Sequence, residues 1–176
     1  MESMSENLIY RWKDLSDHKQ AQQEIAEIFF ETSSKKDFAS TDEKNQFFYK
    51  YVGYYLEHYP DYVWVAKNHQ ILGYLVAATE SYNREILAIQ PHLEKFKDCF
   101  NKYPAHLHIN LSSASQGLGL GSKLISELEK SLQLAKISGL HIMTGPDSPN
   151  KYFYQKLGFS FELERNSILF MGKQAL

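Results

Sequence analysis

The chain has one cysteine, Cys99, and so cannot close a disulfide within itself. That fits a reducing compartment, and the expectation is a cytoplasmic protein. A lone cysteine of this kind reads as a small buried residue rather than a nucleophile. Long apolar runs are missing too. The longest, Ile71–Ala78, has eight residues and is broken by Gly73, whereas a membrane span needs about 20. Neither sign of charge dominates. The net charge is −2 with the histidines neutral, which supplies none of the basic field that nucleic-acid binding needs. The opening MESMSENLIYRWKDL has no apolar core of the secretory kind, so no leader is expected. Internal repeats, low-complexity runs and long linkers are also lacking. The expectation is one domain over residues 1–176, large enough to bury a core without disulfides or metal.

Aromatics are plentiful, at 14% of the chain, and unevenly placed: residues 47–59 alone hold seven. Residues 8–13 read as a strand. Residues 16–31 read as a helix, with Ala21, Ile25, Ile28 and Phe29 on one stripe. Thr41 or Asp42 can cap a second helix running to about His58. Residues 62–67 and 71–79 read as a hairpin across Asn68-His69-Gln70. Residues 84–100 are charged and amphipathic, and the reading is helical after Pro91, which suits a first-turn position. Ala105–Leu111 alternates, with Leu107, Ile109 and Leu111 on one face and His106, His108 and Asn110 on the other. A helix over 120–136 follows, with Gly139 at its end, then a strand over 140–144. A short helix capped by Ser148 ends at Gly158, and strands over 159–164 and 167–172 close the chain. Such alternation indicates an α/β fold, a mixed sheet with helices on both faces.

Three of the nine glycines, Gly117, Gly119 and Gly121, fall within five residues at a strand-to-helix junction. The stretch reads Ser115-Gln116-Gly117-Leu118-Gly119-Leu120-Gly121-Ser122-Lys123. Glycines permit positive φ and close backbone approach, and a helix start offers free N–H groups to an anion. A tight turn without a ligand is the alternative. Walker A and Rossmann spacings both fail, since Ser122 stands where each requires a glycine. A nucleotide-binding regulator is disfavoured on that ground.

The spacing Q-x-x-G-x-G from Gln116 to Gly121 resembles the signature of the GNAT superfamily of acyl-CoA-dependent N-acetyltransferases. Phe153-Tyr154-Gln155-Lys156-Leu157-Gly158-Phe159 is similar to the end of that family's last helix, and the order of elements matches along nearly the whole chain. Leu107-His108-Ile109-Asn110-Leu111, with the glycine run after it, also resembles the branch akin to the acetyltransferase-like domain of O-GlcNAcases. The resemblance implies a mostly antiparallel central sheet, splayed between its fourth and fifth strands. It implies acetyl-CoA as co-substrate and no metal. The backbone of Gln116, Gly117, Leu118, Gly119, Leu120, Gly121 and Ser122 would hold the pyrophosphate. The strand edge from Leu111 to Ser113 would hold the pantetheine arm, and an N–H near Leu111 would stabilise the developing oxyanion. Tyr154 matches the tyrosine that protonates the departing thiolate, although a packing role is the alternative.

Three positions depart from the family pattern. Ser112-Ser113-Ala114-Ser115 stands where a proline–glutamate pair is frequent. Asp147 replaces an asparagine, and its charge is unfavourable near the CoA arm. Ser122 and Lys123 continue the loop only in part, and Lys123 is either a phosphate partner or a solvated lysine. For the proton lost by the amine, His108 is the first candidate, with His106, His141, Glu57 and His58 behind it. Some of Tyr54, Tyr59 and Tyr62 line either an acceptor site or a homodimer contact. The reading is an acetyl-CoA-dependent N-acetyltransferase acting on an amine, a small molecule in preference to a peptide. No nucleic acid and no membrane are expected as partners. A non-catalytic acyl-CoA-binding module of the same fold is the alternative.

Overall fold

The computed structural model describes residues 8–175. Its strands are β1 (Ile9–Arg11), β2 (Val63–Lys67), β3 (Ile71–Ala78), β4 (Ala105–Leu111), β5 (Gly139–Thr144), β6 (Phe161–Arg165) and β7 (Ile168–Gln174). They form one seven-stranded sheet in the order β1-β2-β3-β4-β5-β7-β6. The pairings β1–β2, β2–β3, β5–β7 and β6–β7 are antiparallel, while β4–β5 is parallel. The α/β class and the mostly antiparallel sheet thus follow the expectation. The parallel register joins Ala105 to Leu140 and His106 to His141, and β4 runs on beyond it to Leu111. No described helix is long and apolar enough to cross a membrane.

The chain divides into two compact units. One takes in the described residues up to Val76 together with Ile109–Glu127. Here α1 (His18–Thr32) starts at Asp17, whose carboxylate accepts from Gln20 N–H at 2.9 Å. Its buried stripe is the expected one: Ala21, Ile25, Ile28 and Phe29. Phe29 meets Phe47 and Phe48 at ring-centroid distances of 5.5 and 5.6 Å. The second helix differs from the reading in two ways. Its cap is Ser40, not Thr41 or Asp42, because extended Ser40 (φ −154°) aims its hydroxyl at Glu43 N–H, 3.1 Å away. The helix is also not continuous: α2 (Thr41–Phe48) passes through a wide π turn at Tyr49–Gly53 into α3 (Tyr54–His58). The expected first strand is shorter, because Trp12–Asp14 turns into a 3-10 segment.

The other unit holds Ala77–His108 and the described part of Leu128–Leu176. The reading of 84–100 is corrected: the α-helix lies before Pro91, not after it. Asn83 Oδ1 accepts from Glu85 N–H at 2.9 Å and starts α4 (Arg84–Ile89). Gln90, pushed out of the helical region by the proline that follows, ends it at φ −131°. Pro91–Cys99 is a 3-10 stretch kinked at Phe96. Arg165 pins it through two bonds to Asp98, of 2.6 and 2.9 Å, and a third to Lys95 O at 2.6 Å.

The helix α5 (Leu120–Leu134) passes from the first unit into the second. It ends on Lys136 in the left-handed region (φ 58°), not on Gly139. Ile137 N–H reaches Leu132 O and Lys136 N–H reaches Gln133 O, the pair of bonds that closes a Schellman motif. Gly139 instead opens β5, where a Cβ would come within 2.3 Å of Lys102 O. Ser148 does not cap α6 (Lys151–Lys156); its N–H is used in a turn to Gly145 O, and Asn150 holds the cap position. Gly158 (φ 89°) ends that helix as expected. Asn166 and Ser167, at φ 49° and 61°, make the tight turn that sends β7 back between β5 and β6.

Candidate functional site

The glycine run lies wholly in the first unit. β4 ends at Leu111, and Ser112 N–H donates to Leu72 O at 2.9 Å. Ser113–Ser115 then makes a 3-10 turn, closed by a 2.7 Å bond from Ser112 Oγ to Ser115 Oγ. Ser115 is buried, which fixes the turn from beneath. Gln116 is extended, and Gly117 and Gly119 both take positive φ, 79° and 75°. A Cβ on either glycine would meet nothing within 4 Å. These glycines are therefore required by backbone conformation, and the space over them is open.

The helix α5 begins directly after this loop. Lys123 N–H closes its first turn on Gly119 O at 3.3 Å. The N–H groups from Gly119 to Ser122 consequently have no acceptor within the helix. Residues 116–119 are exposed, and the positive end of the helix dipole lies behind them. Helix-start amides without an acceptor in the helix, two positive-φ glycines and open space above them together fit an extended anionic ligand such as a pyrophosphate. Ser113, expected to act through its backbone, also donates its hydroxyl to Glu31 Oε1 at 2.6 Å. The expected cofactor residues, Leu111, Ser113 and Gln116–Ser122, lie between the end of β4 and the first turn of α5.

Tyr154, His106, His108 and His141 belong to the second unit. Tyr154 is buried on α6, with its ring edge-on to Phe153 at 5.2 Å and to Phe159 at 5.5 Å. Burial pushes its phenol well above the ordinary value, so it stays protonated and a proton donor at neutral pH. His106 and His141 are buried, while His108 is half-buried. Ser81 donates to Pro104 O at 2.7 Å, so it accepts from His106 Nδ1, also at 2.7 Å. His108 Nε2 lies 3.1 Å from Gln90 Nε2, an amide that can only donate. Burial and then His92 lower the His108 pKa to about 4. Burial brings His141 down to about 3 and His106 well below the ordinary value. All three are neutral at pH 7.

Among the remaining candidates, Tyr49 OH donates to Glu57 Oε2 at 3.1 Å, and the rings of Tyr54 and His58 lie tilted to each other at 4.4 Å. Tyr54 is buried, whereas Tyr59 and Tyr62 are half-buried. No group of three or more His, Cys, Asp or Glu among the described residues could hold a metal ion. Residues that the sequence reading did not single out include Glu31, Ser81 and Gln90. Only the third dimension reveals these. Gly73 is different, since its interruption of an apolar strand was visible in the sequence.

Comparisons with known proteins bear on the same elements. A family model described as an acetyltransferase (GNAT) domain matches residues 60–161. The crystal structure of SsHAT superposes with a TM-score of 0.76 at 18% identity, covering 96% of this chain and 98% of that one. YncA from Salmonella typhimurium, solved with its cofactor acetyl-CoA, gives 0.61 at 17% identity, covering 96% and 93%. PaiA N-acetyltransferase from Thermoplasma acidophilum, solved with coenzyme A, gives 0.61 at 15% identity, covering 94% and 97%. At these identities the likeness is one of fold.

Proposed function

The chain belongs to the GNAT acetyltransferase family, and from that premise we propose that it moves the acetyl group of acetyl-CoA directly to the nitrogen of an amine, as one N-acetyltransferase domain. The observation that carries this reading is the glycine loop, with two positive-φ glycines under open space at the start of α5. Acetyl-CoA would supply the activated thioester. The backbone N–H groups of Gln116–Ser122 would hold its pyrophosphate, and the edge from Leu111 to Ser113 its pantetheine arm. No metal is needed.

The residue roles follow from the chemistry of the transfer. The amine nitrogen forms the new bond to the acetyl carbon as the bond to sulfur breaks. The Leu111 N–H stabilises the negative charge that develops on the acetyl oxygen. Tyr154 gives its phenolic proton to the departing thiolate, a role supported by its protonated state at neutral pH. His108 is the proposed acceptor of the amine's proton, taken at Nε2 as the Gln90 amide gives up its bond there. With its pKa lowered to about 4 it is a weak base. It therefore passes the proton onward to water and does not hold it.

The acceptor is proposed to be a small-molecule amine. A buried, free Cys99 supports a cytoplasmic location. The test is release of free CoA from acetyl-CoA across a panel of amines and peptides. Release with at least one amine is expected. Tight acetyl-CoA binding with no release across the panel would favour the non-catalytic module. CoA should also raise the melting temperature more than equal ATP or NAD, by mass action. Equal stabilisation by all three would make the loop a general phosphate site.

A further inference from the structure

Gly73 lies in the middle of β3, beside the end of β4. A strand interior is a costly place for glycine, and close backbone approach is the usual reason for one. Positive φ is not the reason, since among the described residues the positive-φ glycines are Gly117, Gly119 and Gly158. Space is the reason. A Cβ on Gly73 would stand 2.3 Å from Leu111 Cδ2, 3.0 Å from Asn110 O and 3.3 Å from Leu111 Cα. The first contact is impossible without movement, and the other two ask the β4 backbone to give by a few tenths of an ångström. The neighbouring residues of β3 tie the same strand end down. Leu72 O accepts from Ser112 N–H at 2.9 Å, and the hydroxyl of buried Tyr74 accepts from Asn110 Nδ2 at 2.8 Å. The end of β4 is thus held on both sides of Leu111, with the bare backbone of Gly73 between the two ties.

We propose that Gly73 is a positioning residue for acetyl transfer: its missing side chain lets the Leu111 backbone N–H stand where the acetyl oxygen must be met. This rests on the oxyanion role proposed for that N–H. A side chain at 73 would turn the flexible end of Leu111 aside and press on Asn110 O and Leu111 Cα, so that the β4 backbone at Leu111 shifts while the glycine loop keeps its own conformation. Transition-state stabilisation is sensitive to such shifts, since a misplacement of about 1 Å can cost on the order of a hundredfold in rate.

The experiment compares Gly73→Ala, Leu111→Ala and the double variant with the wild type. In Gly73→Ala, kcat should fall by about tenfold, an intermediate loss for a sub-ångström shift. The dissociation constant for acetyl-CoA should stay within about twofold, because the loop carries most of that binding. Adding Gly73→Ala to Leu111→Ala should still lower kcat by about tenfold, because the contacts with Asn110 O and Leu111 Cα remain when the Leu111 side chain has gone. That comparison also stands if Gly73→Ala alone fails to fold. A second readout is the Leu111 amide in nitrogen–proton correlation spectra. In the wild type it should respond more strongly to acetyl-CoA than to CoA, which shares the pantetheine arm but lacks the acetyl oxygen, and Gly73→Ala should blunt that difference. Equal response to both ligands in the wild type overturns the oxyanion role, and Gly73's role with it. A preserved difference with unchanged kcat in Gly73→Ala overturns the positioning role alone. So does an unchanged kcat on adding Gly73→Ala to Leu111→Ala.

Discussion

Nδ1 of His141 lies 2.7 Å from the backbone carbonyl of Tyr103, and that contact fixes the ring's tautomer. A carbonyl only accepts, so Nδ1 carries the hydrogen and Nε2 is left as a lone pair. That Nε2 is buried and has no hydrogen-bond partner among the described residues. The ring is stacked on Phe170 at 4.4 Å and on Phe100 at 5.3 Å. Charging this ring would place a cation among the aromatic side chains stacked on it, at a large desolvation cost.

Acid lability follows from that arrangement. The folded pKa values of His141 and His108 are lowered to about 3 and about 4, and that of His106 lies well below its ordinary value. The unfolded chain takes up these protons near pH 6.5, before the folded protein does. Stability is therefore fully present above about pH 6.5 and is lost as pH falls toward 4, by about 1.4 kcal/mol per pH unit for each such histidine. Melting temperatures measured from pH 7.5 to 5 should fall steadily. In His141→Gln, which keeps a donor for Tyr103 O, the fall should be shallower. An equal slope in the variant would remove His141 from the account.

Lys136 holds a left-handed conformation that suits glycine better than lysine. Lys136→Gly should stabilise the protein by about 1 kcal/mol, the strain of a side chain in that region. In a chain of this size that raises the melting temperature by about 2–4 °C. No change, or a fall, would mean that the α5 terminus is not strained.

The glycine loop gives a binding prediction. At Gly119 a side chain would enter the open space above the backbone, and φ 75° would add strain. Gly119→Val should weaken acetyl-CoA binding at least tenfold, about 1.4 kcal/mol, with the circular dichroism spectrum retained. Unchanged affinity by calorimetry would take the loop out of the CoA site.

The sequence was most legible where one physical rule dominates. Ala105–Leu111 showed its strand by strict alternation, and its bounds match the structure. Gly117 and Gly119 announced a special backbone, and both have positive φ. Legibility failed where local signals competed. Pro91 pointed to a helix start, but Asn83 had already begun one upstream. Gly139 was read as a helix stop, whereas Lys136 takes that position and Gly139 serves a close strand contact. The π turn at Tyr49–Gly53 leaves no mark in the aromatic pattern around it. The insertion of β7 between β5 and β6 is a long-range fact that no local window contains. In the candidate site, the residue types were readable, but the partners of His106, His108 and Ser113 were not. Those partners, Ser81, Gln90 and Glu31, come from distant parts of the chain.

The central claim is that this chain transfers an acetyl group, with Tyr154 as the acid that protonates the departing thiolate. The most direct measurement is the rate of CoA thiol release from acetyl-CoA with an accepted amine, in the wild type and in Tyr154→Phe. Phenylalanine keeps the ring against Phe153 and Phe159 and deletes only the hydroxyl. Under conditions where chemistry limits the rate, kcat should fall by roughly ten- to a thousandfold, as expected for loss of a general acid. Acetyl-CoA affinity should change little. A wild-type rate in Tyr154→Phe would contradict the account.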